Sequence, residues 1–106
     1  MMRFTSYLQN QSLTVVLTGE IDHHCAKEYI RAIATKIEVF SPNVCILDFG
    51  GVTFMDSSGI AVVINALRNM NRIQGELYVC GLQSQPMRVF LAAGIDKLVP
   101  IKEVSR

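Results

Sequence analysis

The sequence predicts a single α/β domain that spans residues 1–106, with an open, mixed but mainly parallel sheet of four to five strands and helices packed on it. Half of the 106 residues are hydrophobic, which is enough to build one core. No repeat or change in composition divides the chain. Short β-rich runs alternate with amphipathic helical patterns, and such alternation implies crossover connections between parallel strands.

The strands are predicted from short runs that are rich in apolar and β-branched residues. The run over 44–49 is almost continuously apolar, which is typical of a strand buried on both faces. We expect Gly19 and the Gly50–Gly51 pair to end the strands that precede them. The last run contains a proline, which is tolerated at a sheet edge. The predicted strands are 4–8, 13–18, 44–49, 76–80 and 98–101.

Three helices are predicted from apolar residues that recur every three or four positions. Pro42 stops the first helix, because proline cannot continue it, and Gly75 is the expected stop of the second. Asp56, Ser57 and Ser58 can each cap the start of the second helix. The predicted helices cover 24–39, the segment from these capping residues to about 73, and 85–92.

The charge composition argues against several classes of partner. Ten Lys and Arg against nine Asp and Glu give a formal charge of +1, which disfavours nucleic-acid binding and a polybasic membrane surface. No apolar run is long enough to span a membrane, and the first residues lack the apolar core and cleavage site of a signal peptide. The three cysteines form no CxxC pair and no disulfide pattern. We therefore expect a soluble, cytoplasmic domain.

Two loops are the expected functional loops, because such folds carry their sites at the carboxyl ends of the strands. The first loop, 19–24, leads to His23, His24 and Cys25, the residues that most resemble metal ligands. Adjacent residues at a helix start project about a hundred degrees apart, so they cannot easily close on one ion. Only a distant residue such as Cys80 could complete the set. We expect polar helix-entry residues and a small buried thiol here, and no metal site.

Ser57, His24 and Asp22 could be combined on paper into a hydrolase triad. The serine, however, lies in D-S-S-G rather than in the G-x-S-x-G turn of a hydrolase. The phosphate-binding motifs G-x-x-x-x-G-K and G-x-G-x-x-G do not occur in the sequence either. We therefore expect no enzymatic activity and no cofactor.

The second loop, 51–59, ends in the most informative segment, Asp56-Ser57-Ser58-Gly59. One capping residue would satisfy a helix, yet this segment offers two hydroxyls beside a glycine that keeps the backbone accessible. A hydroxyl at a helix N-terminus is a favourable position for a phosphoryl group, because exposed amides and the positive end of the helix dipole tolerate negative charge. No Lys or Arg occurs between 37 and 67, so a kinase would have to supply the cations. These grounds do not choose between the two serines.

Two motifs make the sequence similar to the anti-sigma factor antagonist family of STAS domains. They are T-G-E-I-D-H-H at 18–24 and V-T-F-M-D-S-S-G-I at 52–60. G-E-L-Y-V-C at 75–80 and V-F-L-A-A-G-I at 89–95 follow with unshifted spacing, so the resemblance covers nearly the whole chain. The chain resembles most closely the sporulation branch, whose members release sigma F. The general-stress and stressosome branches usually differ at the histidines.

The resemblance implies a partner-switching cycle. The unphosphorylated antagonist would bind an anti-sigma factor that is also a serine kinase, and would thereby free the sigma factor. The kinase, which holds the ATP, would phosphorylate the serine directly after the aspartate, here Ser57, with Ser58 as the alternative. A PP2C-type phosphatase would reverse the reaction. The implied partner-binding residues are Asp22, His23, His24, Asp56, Ser57, Ser58 and Gly59.

Two positions depart from the family pattern. Relatives commonly have a second glycine two places after the first, where this chain has Ala61, which is small enough to be neutral. Relatives also often continue into another helix beyond the position of Arg106, and we expect the switch itself not to depend on such a helix. The competing interpretation is a STAS adaptor or scaffold subunit, of stressosome or lipid-transport type, without partner switching.

Overall fold

The computed structural model describes residues 3–103, so Arg106 lies outside the described residues. The strands are β1 (Arg3–Gln9), β2 (Ser12–Ile21), β3 (Val44–Met55), β4 (Glu76–Cys80) and β5 (Ile101–Lys102). The helices are α1 (Ala26–Phe40), α2 (Ser57–Arg72) and α3 (Ser84–Ala92), and a short 3-10 helix covers Ile95–Lys97. Within the described range, no helix is both long enough and apolar enough to cross a membrane.

The five strands form one sheet in the order β1-β2-β3-β4-β5. β1 pairs antiparallel with β2, and each later pair of neighbours is parallel. Asn10 and Gln11 join β1 to β2 with positive φ angles of 51° and 68°, which matches the twist of a tight hairpin. The parallel pairs need crossovers, which the three helices supply. The structure therefore confirms the predicted mixed, mainly parallel sheet.

The core lies between α1, α2 and one face of the central strands. Leu13, Val15 and Leu17 of β2 are fully buried, and they share one apolar cluster with the buried stripes of both helices. Tyr29 of α1 brings a hydroxyl into this cluster and donates it to the carbonyl oxygen of Thr18 at 2.9 Å. A buried hydroxyl costs free energy unless it is paired, so this bond fixes where α1 packs on β2.

The apolar run of β3 is not buried on both faces, which corrects the prediction. Cys45, Leu47 and Phe49 are fully buried, whereas Val44 and Ile46, which point to the opposite face, are half-buried. Alternation of this kind is what a sheet with one fully covered face produces.

The two central strands continue past the glycines that we expected to end them. Gly19 has φ 92° and lies at a register shift between β2 and β3, after which pairing resumes as far as Ile21 and Met55. Gly51 packs so tightly that a Cβ there would lie 2.5 Å from Cγ2 of Thr18. Glycine therefore permits a bulge and a close backbone approach here instead of ending the strands. As a result, 19–21 and 51–55, which were predicted to belong to the two candidate loops, are strand, and the loops are shortened to 22–25 and residue 56.

The last strand is shorter and later than predicted. Leu98 ends the 3-10 helix and is exposed, and β5 begins only at Ile101. Pro100 has no N–H to donate, but its carbonyl oxygen accepts a bond from the N–H of Val79 at 3.1 Å.

The stop of α2 also differs from the prediction. The left-handed φ of 59° belongs to Gln74 and not to Gly75. Gly75 is required for another reason, because a Cβ there would lie 2.5 Å from Cε of Met70 and 3.0 Å from the carbonyl oxygen of Asn43.

Candidate functional site

The candidate site lies where β2 and β3 end side by side. Ile21 is the register partner of Met55, and the N–H of Asp56 donates to the carbonyl oxygen of Ile21 at 3.1 Å. The parallel pairing therefore brings together the two loops that the sequence analysis singled out, although they are more than thirty residues apart. One side of the site is the start of α1, and the other is the start of α2.

Asp22 organises the turn that leads into α1. One of its carboxylate oxygens accepts hydrogen bonds from the N–H groups of His24 at 2.9 Å and Cys25 at 3.3 Å. Desolvation raises the pKa of the Asp22 carboxyl, but these bonds and the nearby His24 outweigh it, and the pKa lies below its ordinary value of 3.8. Because this turn occupies residues 23–25, α1 begins at Ala26 and not at 24 as predicted.

The two histidines and Cys25 do not converge on one point. His23 and His24 are exposed, and their rings lie 4.0 Å apart between centroids. The Cys25 thiol donates to the carbonyl oxygens of Glu20 at 3.3 Å and Asp22 at 3.6 Å. Among residues 3–103, no group of three His, Cys, Asp or Glu side chains could hold a metal ion.

Asp56 is the N-cap of α2. Its backbone is extended, with φ −100° and ψ −166°, and its side chain accepts a hydrogen bond from the N–H of Ser58 at 2.7 Å. Its carbonyl oxygen accepts the N–H of Gly59 at 3.0 Å. Of the three capping residues that the sequence offered, the structure uses the aspartate, and both serines are left in the first turn.

The two serines have different surroundings. Ser57 is the first residue of α2 and is exposed, whereas Ser58 is half-buried. In the part of the chain that the structure describes, no hydrogen bond involves the Ser57 hydroxyl, so it is available to a partner. Within the described residues, no hydrogen bond joins Ser57 to the His24 imidazole. The Asp22 carboxylate accepts hydrogen bonds from main-chain N–H groups instead of orienting that imidazole, so these residues form no hydrolase triad.

Sequence reasoning missed three residues at this site. Phe54 directly precedes Met55 of the motif, and its apolar side chain remains 41% exposed. Gln83 and Gln85, at the start of α3, reach back to the main chain of β3. Their side chains contact residues about thirty positions away, and no local pattern in a sequence signals such a contact.

Comparison with known proteins places this architecture in a family. A family model of the STAS domain matches residues 4–106. The chain belongs to the STAS domain family. The match covers all of the described chain from the second residue of β1 onward, including both candidate loops.

Relatives of this STAS domain include two anti-sigma factor antagonists. The chain is 30% identical over 89 residues to the anti-sigma F factor antagonist of Paenibacillus polymyxa, which covers 84% of this chain and 76% of that protein. It is 29% identical over 92 residues to the anti-sigma-B factor antagonist of Listeria monocytogenes, which covers 87% of this chain and 80% of that protein.

Among solved structures, the fold is similar to that of the anti-sigma factor antagonist SpoIIAA in its unphosphorylated form. The TM-score is 0.84 at 23% identity, over 98% of this chain and 90% of that chain. The phosphorylated form of SpoIIAA from Bacillus gives a TM-score of 0.75 at 23% identity, over 98% of this chain and 93% of that chain. These likenesses confirm the predicted STAS fold.

Proposed function

We propose that this STAS domain is an anti-sigma factor antagonist that works as a phosphorylation switch. In its unphosphorylated form it binds an anti-sigma factor with serine kinase activity and frees the sigma factor. Phosphorylation of Ser57 by that partner inactivates it, and a PP2C-type phosphatase restores it. The observation that carries the proposal is the exposed Ser57 hydroxyl at the start of α2, free of hydrogen bonds within the described residues and next to the N-cap Asp56.

The phosphoryl transfer needs little from this chain besides a presented hydroxyl. Oγ of Ser57 attacks the γ-phosphorus of ATP held by the kinase, the bond from that phosphorus to the bridging oxygen breaks, and ADP leaves. The hydroxyl proton passes to a base of the kinase. No Lys or Arg lies between 37 and 67, so the metal ion and the cations that stabilise the transferred group come from the kinase. The antagonist itself is not an enzyme and needs no cofactor.

The added phosphate would meet an acidic, hydrogen-bonded helix start. The Ser58 N–H already donates to the Asp56 carboxylate, and the Gly59 N–H donates to the Asp56 carbonyl oxygen, so a phosphate on Ser57 competes with both oxygens for these amides. The positive end of the helix dipole still favours it, by about 0.3–1 kcal/mol. A partner that packs on this surface has to remove water from the new charge. Without dedicated cations the free-energy cost is about that of burying an unpaired ion, which is on the order of several kcal/mol. Phosphorylation therefore acts mainly on partner binding.

The surface around Ser57 supplies the rest of the interface. Exposed His23 and His24 lie on the β2 side, and half-exposed Phe54 offers an apolar contact on the β3 side. Apolar side chains at the centre of a polar rim are typical anchors of protein interfaces. The proposed partners are proteins, with no nucleic acid and no membrane, and the proposed location is the cytoplasm. The motifs resemble those of the sporulation branch of the family, so the proposed role is in sporulation.

The decisive experiment mixes the purified protein with its cognate anti-sigma kinase and Mg-ATP. We expect one phosphate per chain, on Ser57, by mass spectrometry, and release of sigma factor from the kinase before phosphorylation. Ser57→Ala should bind the kinase and accept no phosphate, whereas the matched control Ser58→Ala should keep most of it. Phosphate on Ser58 alone would reverse the assignment of the serine. Neither phosphate nor sigma release would favour the adaptor interpretation.

A further inference from the structure

Within the range that the structure describes, the last part of β3 has no neighbouring strand on its β4 side, although it still pairs with β2 on the other side. Pairing between β3 and β4 stops at Asp48 and Cys80, seven residues before β3 itself ends. At Gly81 the chain turns away with φ 74°, where a Cβ would lie 2.7 Å from the N–H nitrogen of Gly50. The outer edge of 50–55 would therefore leave its N–H and C=O groups without a strand partner, and such groups are costly when they are shielded from water.

Two glutamines from the start of α3 replace the missing strand. The side-chain N–H of Gln83 donates to the carbonyl oxygen of Gly50 at 2.8 Å. Gln83 is also the N-cap of α3, yet its side chain makes no capping bond to its own helix. Its side chain therefore serves β3 instead of α3.

Of the two glutamines, Gln85 binds β3 at the residue that is nearer to the candidate site. Its side-chain oxygen accepts the N–H of Met55 at 2.9 Å, and its side-chain nitrogen donates to the carbonyl oxygen of the same residue at 2.9 Å. One carboxamide thus satisfies both main-chain groups of one residue, as a paired β-strand would. Met55 is fully buried and is held on its other side by its register partner Ile21.

Met55, which Gln85 binds, lies two positions before Ser57 in the sequence. Met55 is followed by the N-cap Asp56 and then by Ser57, with no intervening loop. A shift of Met55 would therefore move the N-cap and the serine with it. Reaction rates are sensitive to such shifts, since a misplacement of about 1 Å can cost a hundredfold.

We propose that Gln85 is a positioning residue, which sets where α2 begins and thereby presents Ser57 in the geometry that its kinase requires. This inference rests on the proposed function, because it concerns phosphorylation at the same serine. It assigns to α3 a part in the switch that lies outside the two sequence motifs of the site.

The test compares Gln85→Met, which keeps the length of the side chain without its hydrogen bonds, with the control Gln83→Ala, which removes one bond farther from Ser57. In Gln85→Met we expect the amide exchange rate of Met55 to rise at least about tenfold. We also expect kcat for phosphorylation of Ser57 to fall about tenfold or more with KM nearly unchanged. Gln85→Glu keeps an acceptor for the Met55 N–H and should recover part of both. Melting temperatures of all variants are measured in parallel.

The outcomes separate the two proposals. If Gln85→Met and Gln83→Ala lower kcat equally, in proportion to their loss of melting temperature, Gln85 is merely structural and the inference is overturned. An unchanged Met55 exchange rate overturns it as well. If the unaltered chain takes up no phosphate while the Met55 amide is deprotected in Gln85→Met, the proposed function fails, but the placement of the segment by Gln85 stands.

Discussion

Gly59 of α2 lies directly against Met55 of β3. A Cβ built at residue 59 would lie 2.7 Å from Sδ and 3.1 Å from Cβ of Met55. The φ of Gly59 is not in the left-handed region, so glycine is present here for space and not for backbone freedom. This contact lets the first turn of α2 lie close to the end of β3, and it keeps the start of α2 next to the paired ends of β2 and β3.

We expect Gly59→Ala to destabilise the protein by about 1–3 kcal/mol, because an added methyl group in a tight contact forces the helix or Met55 to move. The same substitution should slow phosphorylation of Ser57, since the helix start would be displaced. Urea unfolding measures the first effect, and kinase kinetics the second. The control Ala61→Ser lies on the exposed side of the same helix and should change stability by less than about 0.5 kcal/mol. A stable Gly59→Ala protein would show that Met55 relaxes freely.

Phosphate on Ser57 should weaken binding to the anti-sigma partner by about a hundredfold or more, since several kcal/mol of desolvation correspond to two or more powers of ten. The fold should change little, because the charge lies at an exposed helix start. Calorimetric binding and thermal melts of both forms check this. Ser57→Asp brings one charge on a shorter side chain and should imitate the effect only in part. A phosphorylated form that melts many degrees lower would mean that the switch works by unfolding.

Asp22 should make the stability of the protein depend on pH below neutrality. Its pKa is lower in the folded state than the ordinary value of 3.8, so the ionised form stabilises the fold above that value. This contribution is lost as the pH falls through the lower, folded pKa. We expect Asp22→Ala to be less stable than the unaltered protein at about pH 7, and the difference to shrink below about pH 4.

The control for this effect is Asp22→Asn, whose side-chain oxygen can still accept the N–H groups of His24 and Cys25 but carries no charge. At about pH 7 its loss of stability should be smaller than that of Asp22→Ala, and it should also shrink as the pH falls, because only the unaltered protein titrates at this residue. Urea midpoints at several pH values provide the measurement. A constant gap between the unaltered protein and Asp22→Ala at every pH would contradict the assigned role of the charge.

The cysteines should differ sharply in their reactivity toward iodoacetamide. Burial raises the pKa of the Cys45 thiol to about 12, and the thiolate is the reactive form, so Cys45 should remain unlabelled in the native protein. Cys25 is only half-buried and should be labelled first. Peptide mass spectrometry before and after denaturation in urea measures both, and unfolding should expose all three thiols. Equal labelling of Cys45 and Cys25 in the native state would show that the core opens readily.

The sequence was a good guide where structure follows from local rules. Apolar periodicity predicted α1, α2 and α3, and the D-S-S segment predicted a capped helix start, because a cap acts within one helical turn. It was a poor guide to Gly19, Gly51 and Gly75. A glycine can end an element, allow a bulge or admit a neighbour, and only the neighbouring chain decides which of these applies.

The sequence by itself determined the order of strands and helices, the α/β class and the two motifs that mark the site, since these depend on residues close together along the chain. The tertiary structure decided which hydroxyl is exposed, since Ser57 and Ser58 are chemically alike and differ only in what packs beside them. It also decided that Gln85 binds Met55, because this contact depends on where β4 ends and how α3 is placed. Contacts between distant parts of the chain exist only once the sheet register is set, and no local pattern encodes them.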